Sequence, residues 1–281
     1  MKLLRYGQIG QEKPGILDKN GRIRDLSLIV PELAGEALGW ESLNRLRALD
    51  VSTLPFVEGE PRLGPPVGVV PKFLGIGLNY RDHAAETGLP IPDVPIVFAK
   101  ASSCVSGPAD PVLQPKGFNR MDFEVELAFV IGTRAKNVSE ASALDYVAGY
   151  CICNDLSERS LQKGGPGEWI KAKSYDSFGP LGPWLVTTDE IPDPQKLDLT
   201  LDLNGARMQT GSTSTMVFSV AALIAYISQY MTLMPGDVIT TGTPPGVGMA
   251  RNPRVFLKAG DELRLSVSGL GEQRVKVVAE S

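Results

Sequence analysis

The chain of 281 residues contains one histidine and three cysteines. A centre built from two or three imidazoles of one chain is therefore excluded, and so is a four-thiolate zinc site. Any imidazole chemistry has to run through His83. A metal held by this chain would rest on carboxylates, which favour hard cations such as Mg²⁺ or Mn²⁺. Long apolar runs are missing too: the stretch near 221–227 is broken by Ser228 and Gln229, far short of a bilayer span. The opening MKLLRYGQIGQEKPG is too polar for a secretion signal. Three cysteines, two of them in Cys151-Ile152-Cys153, do not suggest disulfides, so a reducing cytoplasm is expected. The Cys-x-Cys pair reads as two small side chains on one face of an apolar strand. There is no basic stripe. Lys+Arg 28 against Asp+Glu 32 gives a net charge of −4, which argues against nucleic acid or an anionic membrane as partner. Dinucleotide and nucleotide loops are lacking as well. Gly75-x-Gly77 has Tyr80 where the third glycine would stand, and neither a Walker loop nor a G-x-S-x-G elbow occurs.

What is present is a globular composition, 43% hydrophobic and 21% charged, with 30 glycines and 22 prolines that suit many turns and short strands. Residues 1–70 read as a small N-terminal α+β module. Asn20-Gly21 marks a hairpin between Ile16–Asp18 and Arg22–Leu26. Leucines at helical spacing follow over Pro31–Leu49, and Pro55, Pro61, Pro65, Pro66 and Pro71 mark a linker. Residues 71–281 read as the main domain. Strands are predicted at Phe73–Leu78, Pro95–Ala99, Phe123–Ile131, Val147–Asn154 and Trp184–Thr187. A short helix over Tyr80–Thr87 would end at Gly88. A second hairpin turns at Asn204-Gly205, and one long helix covers Thr215–Tyr230. Short strands are predicted at Asp237–Thr241, Val255–Leu257, Glu262–Val267 and Gln273–Val278. With so many strands and so few helices between them, a doubly wound sheet is disfavoured. A β-rich α+β fold with a mixed, mostly antiparallel barrel or roll is expected.

Several segments carry groups capable of chemistry. In Asp122-Phe123-Glu124-Val125-Glu126-Leu127, a strand puts Glu124 and Glu126 on one face. Ala128 and Val130 continue that face as apolar residues, so the carboxylates either share a cation or proton or lie on an exposed acidic edge. Asp155 closes an apolar strand and either caps the next helix or supplies a third oxygen ligand. His83 and Glu86, three apart, share a helix face, either as a surface pair or as an oriented base. Lys173 sits in a Gly/Pro-bounded stretch where it is solvated or held beside an anion. Thr240-Thr241-Gly242-Thr243-Pro244-Pro245-Gly246 offers hydroxyls and backbone N–H groups in a rigid turn.

Together the segments GLNYRDHAAETG, FEVEL, CNDLSERSLQ, KAKSYDSFGPLGPW, TGSTSTMVFS and PGDVITTGTPPGVG resemble the fumarylacetoacetate hydrolase family, in order, over roughly Lys72–Ser281. The opening MKLLRYGQIGQEKPGILD is similar to a bacterial subgroup labelled ureidoglycolate lyase or 2,4-diketo-3-deoxy sugar-acid hydrolase. The resemblance implies a mixed β-roll core, a divalent cation (usually Mg²⁺, with Mn²⁺ as the other candidate) and a homodimer. By motif position, Glu124, Glu126 and Asp155 would be metal ligands. His83 and Glu86 would activate water, and Lys173 would contact the substrate or its enolate. Gln162, Ser177 and Thr243 match pocket positions, with Ser177 standing where the family more often has threonine. The stretch Lys163–Ile170 varies among relatives and is expected to shape substrate choice. The implied activity is hydrolysis of the C3–C4 bond of a 2,4-dioxo acid to pyruvate and a second carboxylic acid. A ureidoglycolate lyase or an oxo-acid decarboxylase on the same metal site is the alternative, and a non-catalytic binding module the more distant one. A small oxo acid is the expected partner.

Overall fold

A computed structural model describes residues 1–163 and 169–280. Most of the 163–170 stretch expected to shape substrate choice thus lies outside the described residues. Two sheets dominate the fold. The larger runs through nine strands in the order Ile23–Asp25, Lys13–Leu17, Lys2–Tyr6, Gly179–Thr187, Val147–Asn154, Val125–Ile131, Val238–Thr240, Phe73–Gly77 and Ile96–Lys100. Along this path the pairings are antiparallel except that Val238–Thr240 runs parallel to Phe73–Gly77; off it, Val105–Ser106 also pairs parallel with Gly179–Thr187. The smaller sheet is ordered Ala206–Ser212, Asp198–Leu203, Glu262–Val267, Gly271–Ala279 and Val112–Gln114. The β-rich α+β class is therefore observed, with most strands in these two sheets and no closed barrel among the described residues.

Burial explains the division. Every residue of Val125–Ile131 and Val147–Asn154 is buried, as expected of central strands covered on both faces. Those strands include Cys151 and Cys153, which are free thiols. Burial pushes Cys151 up to about 12, so it behaves as a packing residue. In the smaller sheet, Leu199, Leu201 and Leu203 alternate with more exposed neighbours, the pattern of a sheet with one covered face. Gln273 joins the two sheets. Its buried Nε2 donates to the carbonyls of Ile152, Pro180 and Gly182.

Residues 1–70 are bonded into the larger sheet, because Lys2–Tyr6 pairs with Gly179–Thr187. The first hairpin forms with a wider turn than Asn20-Gly21 alone implies. Leu17 pairs with Ile23, and the Asp18 carboxylate accepts from the N–H groups of Asn20 and Arg22. The second hairpin is the two-residue turn its Asn-Gly suggests, with Asn204 and Gly205 both at positive φ between paired Leu203 and Ala206. In the 31–49 segment the α-helix is limited to α1 (Trp40–Arg47), preceded by a 3₁₀ turn over Gly35–Leu38.

Two expectations need correction. The long helix does not begin at Thr215: a 3₁₀ turn covers Thr213–Thr215. Residues 216–218 stay out of the helix because they bond to the chain before α2, where Met216 bridges Tyr80 and the Val217 N–H donates to the Asn79 carbonyl. Helix starts only after Ser219, whose hydroxyl accepts from the Ala222 N–H. Residues 255–257 are not a strand. Each end is held by one hydrogen bond, Val255 N–H to Gly248 O and Leu257 N–H to Met121 O.

The remaining helices are α2 (Arg81–Thr87), α3 (Arg159–Lys163), α4 (Ile170–Lys173) and the long one, α5 (Val220–Tyr230). Gly88 ends α2 in the left-handed conformation, φ 67°, which an L side chain rarely adopts. Fully buried Asn79 fixes where α2 begins. Its Nδ2 donates to the carbonyls of Thr241 and Phe218, and its Oδ1 accepts from the Phe218 N–H. Asn79→Ala orphans these buried groups and should cost about 2–3 kcal/mol. A urea titration would show the loss as a lower midpoint at unchanged slope.

Candidate metal centre

Strand register assembles the acidic cluster. Val125 pairs with Asn154 and Glu126 with Cys153, so the start of one central strand lies beside the end of the other. Glu124 and Glu126 alternate onto one side, and Asp155 follows immediately after the partner strand. The Asp155 N–H donates to the Glu124 carbonyl at 2.9 Å, which closes the register. One carboxylate oxygen from each of Glu124, Glu126 and Asp155 lies within 4.8 Å of the others, and all three residues are buried.

The cluster is charged out of balance. Lys173 Nζ bridges Glu124 Oε2 at 2.8 Å and Asp155 Oδ2 at 2.5 Å. Lys100 Nζ meets Asp155 Oδ1 at 2.6 Å. Arg159 donates to Asp122 Oδ2 at 2.8 Å and to Glu124 Oε1 at 2.6 Å. Three buried cations thus face four buried carboxylates. Among the described residues, Glu126 is the one bound only by neutral donors, the Thr240 hydroxyl and the Gly242 N–H. The titration directions follow. Burial, then the charges of Asp155 and Glu124, push the Glu126 carboxyl well above its ordinary range. Burial acts the same way on Glu124, but Arg159 and Lys173 overcome it and hold that carboxyl low. Lys173 stays cationic despite burial because Asp155 and Glu124 outweigh the desolvation.

A hard divalent cation fits this donor set. Three oxygen ligands, one with no cationic partner, give it charge to neutralise, and oxygen donors suit Mg²⁺ or Mn²⁺. Its absence would leave the repulsion among three carboxylates to be met by a proton on Glu126.

The triad opens into a cavity of ≈ 130 Å³ also lined by His83, Gln162, Lys173 and Thr243. His83 is buried, and its Nδ1 lies 3.0 Å from Glu86 Oε2. The other oxygen of Glu86 accepts from the Gly246 N–H at 2.8 Å. Glu86 is thus clamped between α2 and the 242–248 turn. Gln162 Oε1 accepts from Arg159, and the Thr243 hydroxyl donates to the Val125 carbonyl. Ser177 is placed elsewhere. Its hydroxyl accepts from the Leu113 N–H, and it does not line the cavity.

Sequence reasoning passed over Asp122, Arg159 and Lys100. Arg159 carried a readable signal, since it stands three residues before Gln162 at the start of a helix and the two side chains meet. Lys100 carried none, because its carboxylate partner is 55 residues away.

The family model described as fumarylacetoacetate (FAA) hydrolase C-terminal matches residues 72–278. A Burkholderia ambifaria protein named "Putative hydrolase" is 64% identical over 274 residues, which is 97% of each chain. Among solved structures, the fumarylacetoacetate hydrolase of Exiguobacterium antarcticum is 34% identical with a TM-score of 0.86, covering all of both chains. The maleylpyruvate hydrolase of a Sphingobium species is 29% identical with a TM-score of 0.81, again over all of both.

Mg²⁺ at about 100 times its dissociation constant should stabilise the fold by about 2.7 kcal/mol. Glu126→Gln keeps the shape of the side chain and removes its charge. That variant should melt like the parent in chelator and lose most of the Mg²⁺-dependent rise. Melting curves that ignore every divalent cation would dismiss the centre.

Proposed function

The chain belongs to the fumarylacetoacetate hydrolase family, and from this we propose that it is a divalent-metal-dependent hydrolase of 2,4-dioxo acids, cleaving C3–C4 to release pyruvate and a second carboxylic acid. The observation that carries the reading is the pairing of His83 with Glu86 at the wall of the same cavity into which the acidic triad opens. A cation held by Glu124, Glu126 and Asp155 would supply Lewis acidity toward the substrate's carboxylate and 2-oxo oxygens.

The chain's own groups do the rest. Glu86 holds the Nδ1 side of the His83 ring, which leaves Nε2 to take a proton from water. The resulting hydroxide adds to C4, and the C3–C4 bond breaks with its electron pair passing to C3. Lys173, already held cationic beside Glu124 and Asp155, places positive charge next to the developing enolate. Passage of that proton from His83 to C3 completes pyruvate and restores the neutral base. Gly246 keeps Glu86 from rotating away, so the base stays oriented between turnovers. The same reading includes a homodimer and a cytoplasmic setting. Among the described residues, no helix is long and apolar enough to cross a membrane.

General-base help is worth about 10²–10⁴-fold. His83→Ala should therefore lower kcat at least about a hundredfold while keeping its Mg²⁺-dependent melting shift. The assay is pyruvate release from a panel of 2,4-dioxo acids, with urea release from ureidoglycolate run beside it. Near-normal turnover by His83→Ala rejects the water-activation step, and urea release without pyruvate release would move the protein to the lyase reading.

A further inference from the structure

Glu86 takes the His83 ring with one oxygen and the Gly246 N–H with the other. An i,i+3 pair on a helix face is weak by itself. The Glu86 carboxylate is partly open to solvent, so the aim of the base depends on how firmly Gly246 stands. Sequence makes Gly246 the loosest joint of its turn. Pro244 and Pro245 fix their own φ angles, whereas Gly246 sits at φ 107°, a region that only glycine enters freely.

The turn is fastened to the strand Ala206–Ser212 at two points. The first serves the acidic strand. Buried Gln209 donates through Nε2 to the Thr243 hydroxyl and the Pro244 carbonyl, both at 2.8 Å, and accepts the Val125 N–H through Oε1. The second serves Gly246. Half-buried Arg251 donates through Nε to the Gly246 carbonyl at 3.2 Å and through Nη2 to the Met208 carbonyl. The rigid guanidinium fork thus ties the free glycine to the backbone of the strand. Two glycines permit the close approach. A Cβ on Gly246 would fall 2.1 Å from the Met208 oxygen, and one on Gly211 would fall 2.2 Å from the Pro244 Cβ.

Resting on the hydrolase reading for the task of His83, we propose that Arg251 is a positioning residue for the base. Among the described residues, it is not part of the cavity lining. It acts in relay. Arg251 fixes the Gly246 carbonyl, Gly246 holds Glu86, and Glu86 selects the ring tautomer with its proton on Nδ1 and Nε2 bare.

The single histidine gives a readout that needs no turnover. Nitrogen NMR of histidine-labelled protein shows one imidazole, and where the ring is neutral its two nitrogens report the tautomer. The parent should hold mostly the Nδ1-protonated form, and in Arg251→Met that form should lose its majority. Equal tautomer populations in the two proteins would overturn the proposal. Kinetics gives a second readout. The kcat of Arg251→Met should fall about tenfold, part of the roughly 10²–10⁴-fold that a general base supplies, while KM and the Mg²⁺-dependent melting shift hold. A loss spread over all three quantities would mark a merely structural residue and overturn the proposal. Arg251→Lys keeps the charge but bridges only one carbonyl, so it should fall between parent and Met in both readouts. It carries the same test should Arg251→Met fail to fold. A shifted tautomer in a protein that cleaves no 2,4-dioxo acid leaves the relay standing and removes the hydrolase reading. Cleavage with unchanged kcat in Arg251→Met does the reverse.

Discussion

One buried carboxylate without a cationic partner, held between two central strands, organises the site. Asp122, Glu124, Glu126 and Asp155 are answered by Lys100, Arg159 and Lys173, and Glu126 is the one left with neutral donors. Ion pairs at this depth roughly break even against their own desolvation, so such a cluster is weak evidence for stability. The strands around it carry the stability, because both are buried along their whole length. The protein holds an electrostatically costly arrangement inside its most secure element. That is the expected place for strain retained for function.

The turn from Thr240 to Met249 transmits this constraint to the rest of the site. Its backbone donors are spent one by one on acidic side chains: Gly242 N–H on Glu126, Gly246 N–H on Glu86, and Gly248 and Met249 N–H on Asp122. The Thr243 hydroxyl meanwhile secures the Val125 carbonyl at the start of the acidic strand. One rigid turn therefore sets the triad, the second carboxylate of the Arg159 bridge, and the partner of His83. The two prolines within it leave no N–H at positions where none is needed, and they limit the backbone's freedom. Moving this turn would disturb the base and the ligands together, which couples the two halves of the chemistry through ordinary hydrogen bonds.

Much of this was legible because it is local. Period-two alternation is enough to put Glu124 and Glu126 on one side, and i,i+3 spacing is enough to pair His83 with Glu86. Gly88 announces the end of α2, and Asn204-Gly205 announces a tight hairpin. What stayed hidden depends on distant chain. Residues 215–219 have helical composition, yet bonds to Asn79 and Tyr80 keep 216–218 out of the helix. Ser177 has a suitable hydroxyl, yet the neighbouring strand takes it through the Leu113 N–H. Lys100 looks like the polar end of a strand until folding delivers Asp155 to it. No propensity or spacing encodes such pairings, since each arises from topology.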